Sequence, residues 1–490
     1  MTDFAFCRHL IAREVRSHLT SGVFLLLAGT SFVLALFAAN AGVRQLDVAS
    51  SQHGHYASQK NNLAAQQLMG WYAEPALRVV RAPAAGSILI RGLERSRAAF
   101  WDFSPSGPLD GPTTDALDQR SESGPLFDYE AVIRILLGLL AILLGVRTVA
   151  GHRQDGTLQA LLDLPVRGPT VAVSKLTAVL VTLACVLLTV CLATTGLVGT
   201  LNPALMTTEM NTLGGLLSLT GLAYAGTLAG IGMTIGSLAG SATTAGGLGI
   251  SVWGFLALAY PQLATFTVHA IAPSPARHVV AEERQRMYDG RFADTLRMLG
   301  RTAAELNDEP GGAVNLDEIP GGRSVIDDLW REDSAETRYL LRVIDDRAKA
   351  EQSQHDRLSA WLSAASPSTV FTRATTALAN TGVAADSRWR NSIDAYQAML
   401  TERLFDDPPR LTLLAPSGDG LERVSIGRHP APTAADFPPF EPPPSDLRTR
   451  LLDAARDTAL LVAYFLLFAV LAVGTFPASG ETQRRLGRRI

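Results

Sequence analysis

The chain has few cysteines, and none of them is placed to do chemistry. Cys7 lies near the N-terminus, and Cys185 and Cys191 lie within an apolar run, so all three are outside the long polar segments. Disulfides of an oxidising compartment would be found in those polar segments, and the sequence therefore excludes a disulfide framework and a cysteine zinc site. Cys185 and Cys191 are six residues apart, on different helix faces, and are interpreted as filler in a membrane helix.

Charge is also scarce and nearly balanced. Only 18% of the 490 residues are charged, with 43 Lys and Arg against 46 Asp and Glu, for a net charge of -3. No basic excess is available for a nucleic-acid partner. The hydrophobic fraction of 47% and the mean hydropathy of +0.16 are too high for an ordinary soluble protein and too low for a wholly embedded one. The composition predicts a membrane protein with substantial polar parts.

Motifs for catalysis are missing from the sequence. It contains no G-x-x-x-x-G-K-[ST] phosphate loop, no H-E-x-x-H, no nucleophile elbow and no C-x-x-C pair. The chain is therefore predicted to be non-catalytic and unable to hydrolyse ATP by itself. His53 and His55 form an H-x-H that could ligate copper or zinc if His269 or His278 came near. With no other ligand in view, an exposed polar loop is the preferred interpretation, and no metal site is predicted.

Long apolar runs define the fold class. About 20 apolar residues are needed to cross about 30 Å of hydrocarbon, and six stretches qualify. The predicted spans are residues 21–41, 131–150, 171–198, 213–236, 244–268 and 458–477. The sequence thus predicts an α-helical polytopic membrane protein with six transmembrane helices. Only the short turn 237–243 separates the fourth and fifth spans, which are expected to form a tight antiparallel pair.

Basic residues close to the spans predict the orientation. They cluster in residues 1–20, in the segment 151–170 with its flanks, and in the tail 478–490. Because such clusters stay on the cytoplasmic side, both termini are predicted to be cytoplasmic. The segments 42–130 and 269–457 then lie on the far side, where long loops translocate regardless of their charge.

The N-terminal segment 1–20 is predicted to be an interfacial helix. Phe6, Leu10 and Val15 alternate with arginines, which is typical of an amphipathic helix on the inner membrane surface. A plain positively charged anchor is the alternative. The run Ala39-Asn40-Ala41 resembles a leader cleavage site, but the apolar stretch before it exceeds the usual length of about 7 to 15 residues. Its loss would also leave an odd number of spans, so no cleavage is expected.

Glycines recur with a period of about four in and just after the fourth span. They are Gly226, Gly230, Gly232, Gly236 and Gly240. Small residues at this spacing let helix backbones approach closely, which favours helix packing or a dimer interface. A glycine-lined pore or a hinge is the other interpretation.

The large far-side segment 269–457 is predicted to be a folded, mainly helical domain. Residues 275–407 are rich in helix formers with apolar positions at helical spacing. Short strands are expected within 410–424, followed by an extended proline-rich strap at 430–444. In the segment 42–130, residues 62–80 are predicted to be helical, and the two far-side segments are expected to pack together.

The segment between the second and third spans is a polar hairpin. Residues 147–175 read RTVAGHRQDGTLQALLDLPVRGPTVAVSK. Within it, residues 157–164 can form a short amphipathic helix with three leucines on one face, which Pro165 ends. Such a helix is too short to cross a bilayer and lies along its surface, where we expect a soluble partner to contact it.

These features resemble the permease subunits of type-2 ABC transporters. The motif GTLQALLDLPVRGPTVAVSKL after the second span carries the resemblance, together with the interfacial helix and the six spans with both ends inside. The group includes polysaccharide and drug exporters and the permease for nitrous oxide reductase maturation. The run ASPSTVFTRATTALANTGVAADSRW is similar to a subgroup with an expanded periplasmic domain.

The resemblance implies that the hairpin contains a coupling helix, which docks in a groove of an ATPase subunit. The contact and positioning residues that it implies are Asp155, Gly156, Thr157, Leu158, Leu161, Leu162, Pro165, Val166, Arg167 and Lys175. Family members usually carry acidic residues just before the glycine, where this chain has His152, Arg153 and Gln154. ATP and Mg would be bound by the partner ATPase, and no cofactor by this chain.

The resemblance also implies partners and a location. We expect a dimer of ABC ATPase subunits, a second permease copy or a sister permease, membrane lipid and a place for a periplasmic protein, in the inner membrane of a bacterium. The implied function is export or extraction of an unknown substrate. The alternative is a mechanotransmitting subunit that drives a periplasmic partner without transport. An intramembrane enzyme is disfavoured, because the spans contain no evident catalytic groups.

Overall fold

The computed structural model describes residues 3–66, 77–104, 107–110, 128–158, 167–306, 314–316, 318–406, 411–417, 420–426 and 439–476. Its helices in chain order are α1 (Asp3–Leu19), α2 (Gly22–Gln66), α3 (Tyr129–Gln154), α4 (Gly168–Leu201), α5 (Thr208–Leu238), α6 (Ala242–Ile271), α7 (Arg277–Glu305), α8 (Gly322–Ser363), α9 (Pro367–Leu378), α10 (Val383–Asp406) and α11 (Leu447–Thr475). The strands are β1 (Leu77–Val80), β2 (Phe100–Ser104), β3 (Gly107–Asp110), β4 (Val314–Asn315), β5 (Leu411–Ser417) and β6 (Gly420–Ile426).

Six of these helices are long and apolar enough to cross a membrane. They are α2 in its Gly22–Ser58 part, α3, α4, α5, α6 and α11. The predicted fold class is confirmed, and each of these helices contains most or all of one predicted span. We call the side of the bundle with α1, the α3–α4 connection and the α5–α6 turn the α1 side, and the opposite side the domain side.

Helix α5 lies at the centre of the bundle. It packs against α3, α4 and α11, and α9 also reaches it on the domain side. Leu217, Tyr224 and Leu228 of α5 are fully buried. Helix α6 is more peripheral: Gly246 and Gly247 have open space where a side chain would be, and Gly249 faces Val146 of α3. Helices α5 and α6 contact each other, but the motif glycines within α5 face other helices: Gly226 and Gly230 face α11, and Gly232 and Gly236 face α3.

Helix α2 continues well past the predicted first span. It extends to Gln66, so that the part after residue 41 stands on the domain side as a helix. The predicted helix over residues 62–80 is wrong in its last part, where Leu77–Val80 forms β1 and pairs antiparallel with β2. Strand β2 in turn pairs antiparallel with β3. The short run LRVV has β-branched residues and becomes a strand because β2 supplies a partner.

The domain side has a mainly helical layer with two small sheets. Helices α7 and α8 pack against each other, joined by ion pairs such as Arg291 Nη2 to Asp333 Oδ1 at 2.5 Å. Strands β4, β5 and β6 form an antiparallel sheet that contacts α7. The predicted strands in 410–424 are thus present as β5 and β6.

The two far-side segments pack together through aromatic rings. Trp101 of β2 stacks on Trp389 of α10 with ring centroids 5.7 Å apart. Phe103 meets Tyr396 edge to face at 5.1 Å, and Phe440, from the end of the proline-rich strap, stacks on Trp389 at 5.6 Å. This small apolar core joins three parts of the chain that are far apart in sequence.

A buried ion cluster ties the same segments. The Arg97 guanidinium donates to the main-chain oxygen of Gly382 at 2.5 Å and lies 3.3 Å from Asp386 Oδ1. Burial alone would raise the pKa of Asp386, but the charges of Arg390, Arg97 and Arg277 outweigh it and lower that pKa. Asp386 therefore stays ionised as the anion of the cluster.

Candidate coupling site and its connection to the outer domain

Helix α3 ends on the α1 side in a glycine turn. Asp155 is the C-cap residue, and Gly156 adopts a left-handed backbone with φ +68°, its N–H donating to the Arg153 oxygen at 3.2 Å. A glycine is favoured here because other residues are strained at positive φ. Gly156 thus ends α3 and turns the chain into the predicted coupling segment.

Thr157 holds this turn against α3. Its hydroxyl lies 2.8 Å from His152 Nδ1 and 3.3 Å from the His152 main-chain oxygen. The backbone is helical at Thr157 and Leu158, where the described part stops. Of the residues implied by the resemblance, Leu161, Leu162, Pro165 and Val166 lie outside the described residues.

The start of α4 bounds the α3–α4 segment on its C-terminal side. Arg167 has an extended backbone as the N-cap residue and is exposed, and Gly168 and Pro169 open the helix. Proline is favoured in the first turn because an N–H there has no intrahelical acceptor, so the donor that proline lacks costs no hydrogen bond. The segment between Leu158 and Arg167 is therefore bounded by a fixed turn on each side.

A carboxylate of α1 links the two helices that flank this segment. Glu14 Oε1 accepts a hydrogen bond from Lys175 Nζ at 2.6 Å and lies 2.9 Å from His152 Nε2. Lys175 is fully buried and Glu14 is 4% exposed. We call Glu14, His152 and Lys175 the Glu14 clasp. It joins α1, the end of α3 and the second turn of α4, the three elements around the coupling segment.

Burial and charge set the ionisation of the α1 residues. Burial would raise the pKa of Glu14, but the His152 hydrogen bond and the Lys175 charge lower it to about 2. Burial lowers the pKa of His18 to about 4, although Glu14 opposes this, and its Nδ1 lies 3.3 Å from Thr182 Oγ1 of α4. At neutral pH Glu14 is therefore an anion and His18 is neutral.

Arg153 connects the same corner to the α5–α6 turn. Its guanidinium donates to the main-chain oxygen of Ser237 at 2.9 Å and to that of Ala239. These carbonyls belong to the C-terminal end of α5, where a cation is stabilised by unpaired oxygens and by the helix dipole. Arg153, one of the three residues before Asp155 and Gly156, therefore has a structural role within this chain.

Glycines let α3 and α5 touch through their backbones. A Cβ on Gly232 would overlap the main-chain oxygen of Ile142, and one on Gly145 would overlap that of Ala229. A Cβ on Gly236 would lie 2.7 Å from the oxygen of Val146. Close backbone contact of this kind leaves little freedom for one helix to move without the other.

The remaining glycines of the motif face elsewhere. A Cβ on Gly226 would come within 2.8 Å of the Phe465 ring, and one on Gly230 within 3.0 Å of the Phe468 backbone, both in α11. Gly240 has nothing within 4 Å. Among the residues that the structure describes, none packs against Gly240.

At the domain side, a buried polar cluster joins α3 to α9. Glu130 Oε1 accepts from Arg134 Nε at 2.9 Å and from Thr372 Oγ1 at 2.6 Å. Arg134 Nη1 donates to the main-chain oxygen of Ala257 at 2.8 Å, in a π-helical turn of α6. Such turns free a backbone carbonyl for an external donor.

Tyr224 of α5 belongs to the same cluster. Its hydroxyl donates to the Arg134 main-chain oxygen at 2.9 Å and lies 3.1 Å from Ser368 Oγ of α9. Its ring stacks on Phe371 with centroids 4.7 Å apart. We call Glu130, Arg134, Tyr224, Ser368 and Thr372 the α9 node.

Helix α9 lies inside the domain-side end of the bundle. Val370, Phe371 and Ala374 are fully buried, and α9 contacts α11 and α5 extensively. Its start is fixed because Ser366 Oγ donates to the Leu256 oxygen of α6 at 3.0 Å. The domain formed by the described parts of residues 269–457, which we call the outer domain, is thus anchored by a helix that is part of the bundle.

Comparison with known families decides what kind of protein this is. The family described as ABC-2 family transporter protein matches residues 8–477. The chain belongs to this family. A search of curated proteins finds no match. The ABC-2 permease is a multi-pass membrane transport subunit of a family whose members are generally non-catalytic, and the family implies an ABC ATPase partner and a dimeric permease.

Leu158 and Lys175 of this ABC-2 permease lie inside the permease. Leu158 is 6% exposed within the apolar core, and Lys175 is held by Glu14. These positions fit the positioning part of the implied role, and a direct contact of either residue with an ATPase stays a prediction. Asp155, Gly156 and Arg167 are exposed and remain available for such a contact.

Sequence reasoning missed the residues that hold the coupling site together. Glu14 and His18 were not singled out, although Leu10, Glu14 and His18 repeat every fourth residue and form the buried stripe of α1. An acid, Glu14, between the arginines at 13 and 16 of α1 was the available signal. Glu130 and Arg134, also four apart, were a second such signal at the start of an apolar run.

The histidine pair in α2 gains no metal ligands in this permease. Among the described residues, no group of three or more His, Cys, Asp or Glu side chains is placed to hold a metal ion. His55 contacts the Tyr56 ring, and His269 lies instead against His355 of α8.

Proposed function

We propose that this ABC-2 permease couples ATP hydrolysis by a separate ATPase subunit to export or extraction of a substrate across a bacterial inner membrane. In this proposal α1, the coupling segment and both termini are cytoplasmic, and the outer domain is periplasmic. The Glu14 clasp carries the proposal. It makes one rigid corner of α1, α3 and α4 around the segment that resembles a coupling helix.

The contacts support a route for motion across the membrane. A push on the coupling segment would move the corner held by the Glu14 clasp and tilt α3. Backbone contact at Gly145 and Gly232 would transfer that displacement to α5. At the other end of α3, Glu130 and Thr372 would pass it to α9 and to the outer domain.

The proposal includes partners outside this chain. Two ATPase subunits would bind ATP and Mg, and two permeases, identical or sister copies, would pair in the membrane. The motif GTLQALLDLPVRGPTVAVSKL supports a relation to the permease group of nitrous oxide reductase maturation. The run 365–389, which forms α9 and the start of α10, supports a relation to a subgroup with an expanded periplasmic domain.

The ATPase contact is tested by charge placed in the coupling segment. The double variant Leu161→Asp with Leu162→Asp should lose the ATPase when the tagged permease is purified in detergent from its native host, measured as ATP hydrolysis in the eluate. A matched control, Val325→Asp with Val343→Asp, places the same charges on exposed positions of α8. Equal ATPase recovery from both double variants would contradict the proposal.

Mechanotransmission without transport is the second candidate function. The observation in its favour is the burial of α9 in the bundle, since every movement of α3 and α5 there must be shared with the outer domain. Inverted vesicles containing the complex separate the two candidates. ATP-dependent accumulation of a compound in the lumen, found by untargeted mass spectrometry, favours transport, and its absence with continued ATP hydrolysis favours mechanotransmission.

A further inference from the structure

Two histidines meet where α6 reaches the outer domain. His269 lies in the last turn of α6 and His355 in α8, with ring centroids 5.2 Å apart and planes at 83°. They lie far from the coupling site and belong to neither the Glu14 clasp nor the α9 node. Their role is therefore independent of the proposed function.

Hydrogen bonds fix the tautomer of both rings. His269 Nδ1 lies 2.9 Å from the Thr265 main-chain oxygen, and His355 Nδ1 lies 2.8 Å from that of Ala272. A carbonyl only accepts, so each Nδ1 carries the proton. In the neutral rings both Nε2 atoms then present lone pairs. An imidazole whose Nδ1–H is bound to a backbone carbonyl is the usual arrangement of a metal-ligating histidine.

A cavity adjoins both rings. It has a volume of about 120 Å³, and its lining includes His269, His355 and the side chains of Ser359, Ser363 and Thr369. This is room for a cation and several waters, since one water occupies about 30 Å³ in the liquid. The hydroxyl groups can accept hydrogen bonds from metal-bound water.

We propose that His269 and His355 bind one borderline d-block cation of the Zn²⁺ type through their Nε2 atoms. With metal–nitrogen bonds of about 2.0 Å and a tetrahedral angle, the two ring centroids would be about 5 Å apart. The observed 5.2 Å matches this spacing. Imidazole nitrogen favours such cations over Mg²⁺ or Ca²⁺, which prefer oxygen.

The site has two protein ligands and an open side. No third His, Cys, Asp or Glu joins them in the part of the chain that the structure describes. Water or a solvent anion completes the coordination, so the cation exchanges. Bound metal would also clamp the end of α6 to α8, and with it the bundle to the outer domain.

Binding of Zn²⁺ alone to the purified full-length permease in detergent tests the site. Equilibrium dialysis with metal analysis should find one equivalent per chain, and His269→Gln or His355→Gln should lose it. His278→Gln, a nearby exposed histidine in α7, and the double variant His53→Gln with His55→Gln should keep it. A ten-fold excess of Mg²⁺ should not compete.

A second measurement needs no variant. Zn²⁺ should protect His269 and His355 of the wild-type chain from diethyl pyrocarbonate, with His278 modified equally with and without metal, as read by peptide mass spectrometry. The proposal is overturned by the absence of saturable binding, by loss of the equivalent in the His53 and His55 double variant, or by protection at other histidines only.

Discussion

Lys175 Nζ lies 2.6 Å from Glu14 Oε1, although 161 positions separate the two residues in the chain. Both are buried, and their pairing attaches α1 to the helix that follows the coupling segment. An α1 held in this way must move with α4, and it is more than a passive anchor on the membrane surface.

Removing one partner of this ion pair should lower the free energy of unfolding more than replacing both partners. Lys175→Met leaves a buried carboxylate without its cation and should lower the free energy of unfolding by about 3 kcal/mol. The double variant Glu14→Leu with Lys175→Met should be closer to the wild type, because no buried charge is left unpaired. Thermal unfolding in detergent measures both. A double variant whose loss of stability equals the sum of the losses in Lys175→Met and Glu14→Leu would show that the pair is not coupled.

Acid should weaken the attachment of α1 through His18. Because the folded pKa of about 4 is below the ordinary 6.5, the neutral ring is favoured in the fold. The contribution of His18 to the free energy of unfolding is therefore complete above about pH 6.5 and is lost as the pH falls towards 4. Between pH 7 and pH 5 the free energy of unfolding should fall by about 2 kcal/mol through this residue.

The variant His18→Gln should show a smaller fall in unfolding temperature over that pH interval than the wild type. His9→Gln, which changes an exposed histidine of the same helix, should keep the wild-type fall. If His18→Gln and the wild type lose stability in parallel, His18 does not titrate as inferred.

The α3–α5 contact should not tolerate a methyl group. Gly232→Ala places a Cβ on the Ile142 oxygen and should force the helices apart, at a cost of about 2 kcal/mol or more. Gly247→Ala, in α6 with open space around it, should cost nothing. Unfolding temperatures in detergent distinguish them, and equal values for the two variants would count against backbone contact at Gly232.

The α9 node should be sensitive to the loss of one hydroxyl. Tyr224→Phe keeps the stack on Phe371 but removes the bonds to Arg134 and Ser368, which should cost about 1 kcal/mol. Amide hydrogen exchange in α9 should become faster. Tyr339→Phe, at an exposed position of α8, is the matched control and should leave α9 unchanged. Unaltered amide exchange of α9 in Tyr224→Phe would show that the Tyr224 hydroxyl does not stabilise the contact between α5 and α9.

Some of this architecture follows from local sequence. The six spans were predicted because a run of apolar residues must be buried or face lipid whatever its neighbours are. The start of α9 is likewise visible as Ser366-Pro367, a helix cap followed by proline. Strand β1 was missed because its four residues are a strand only when β2 lies beside them.

What the sequence by itself determined is the number of spans and the mainly helical outer domain, since these depend on composition and short-range spacing. Only the tertiary structure decided that Lys175 faces Glu14, that Gly232 and Gly236 of α5 face α3, and that α9 lies within the bundle. Each of these depends on which distant surfaces meet, and local propensity contains no information about distant surfaces.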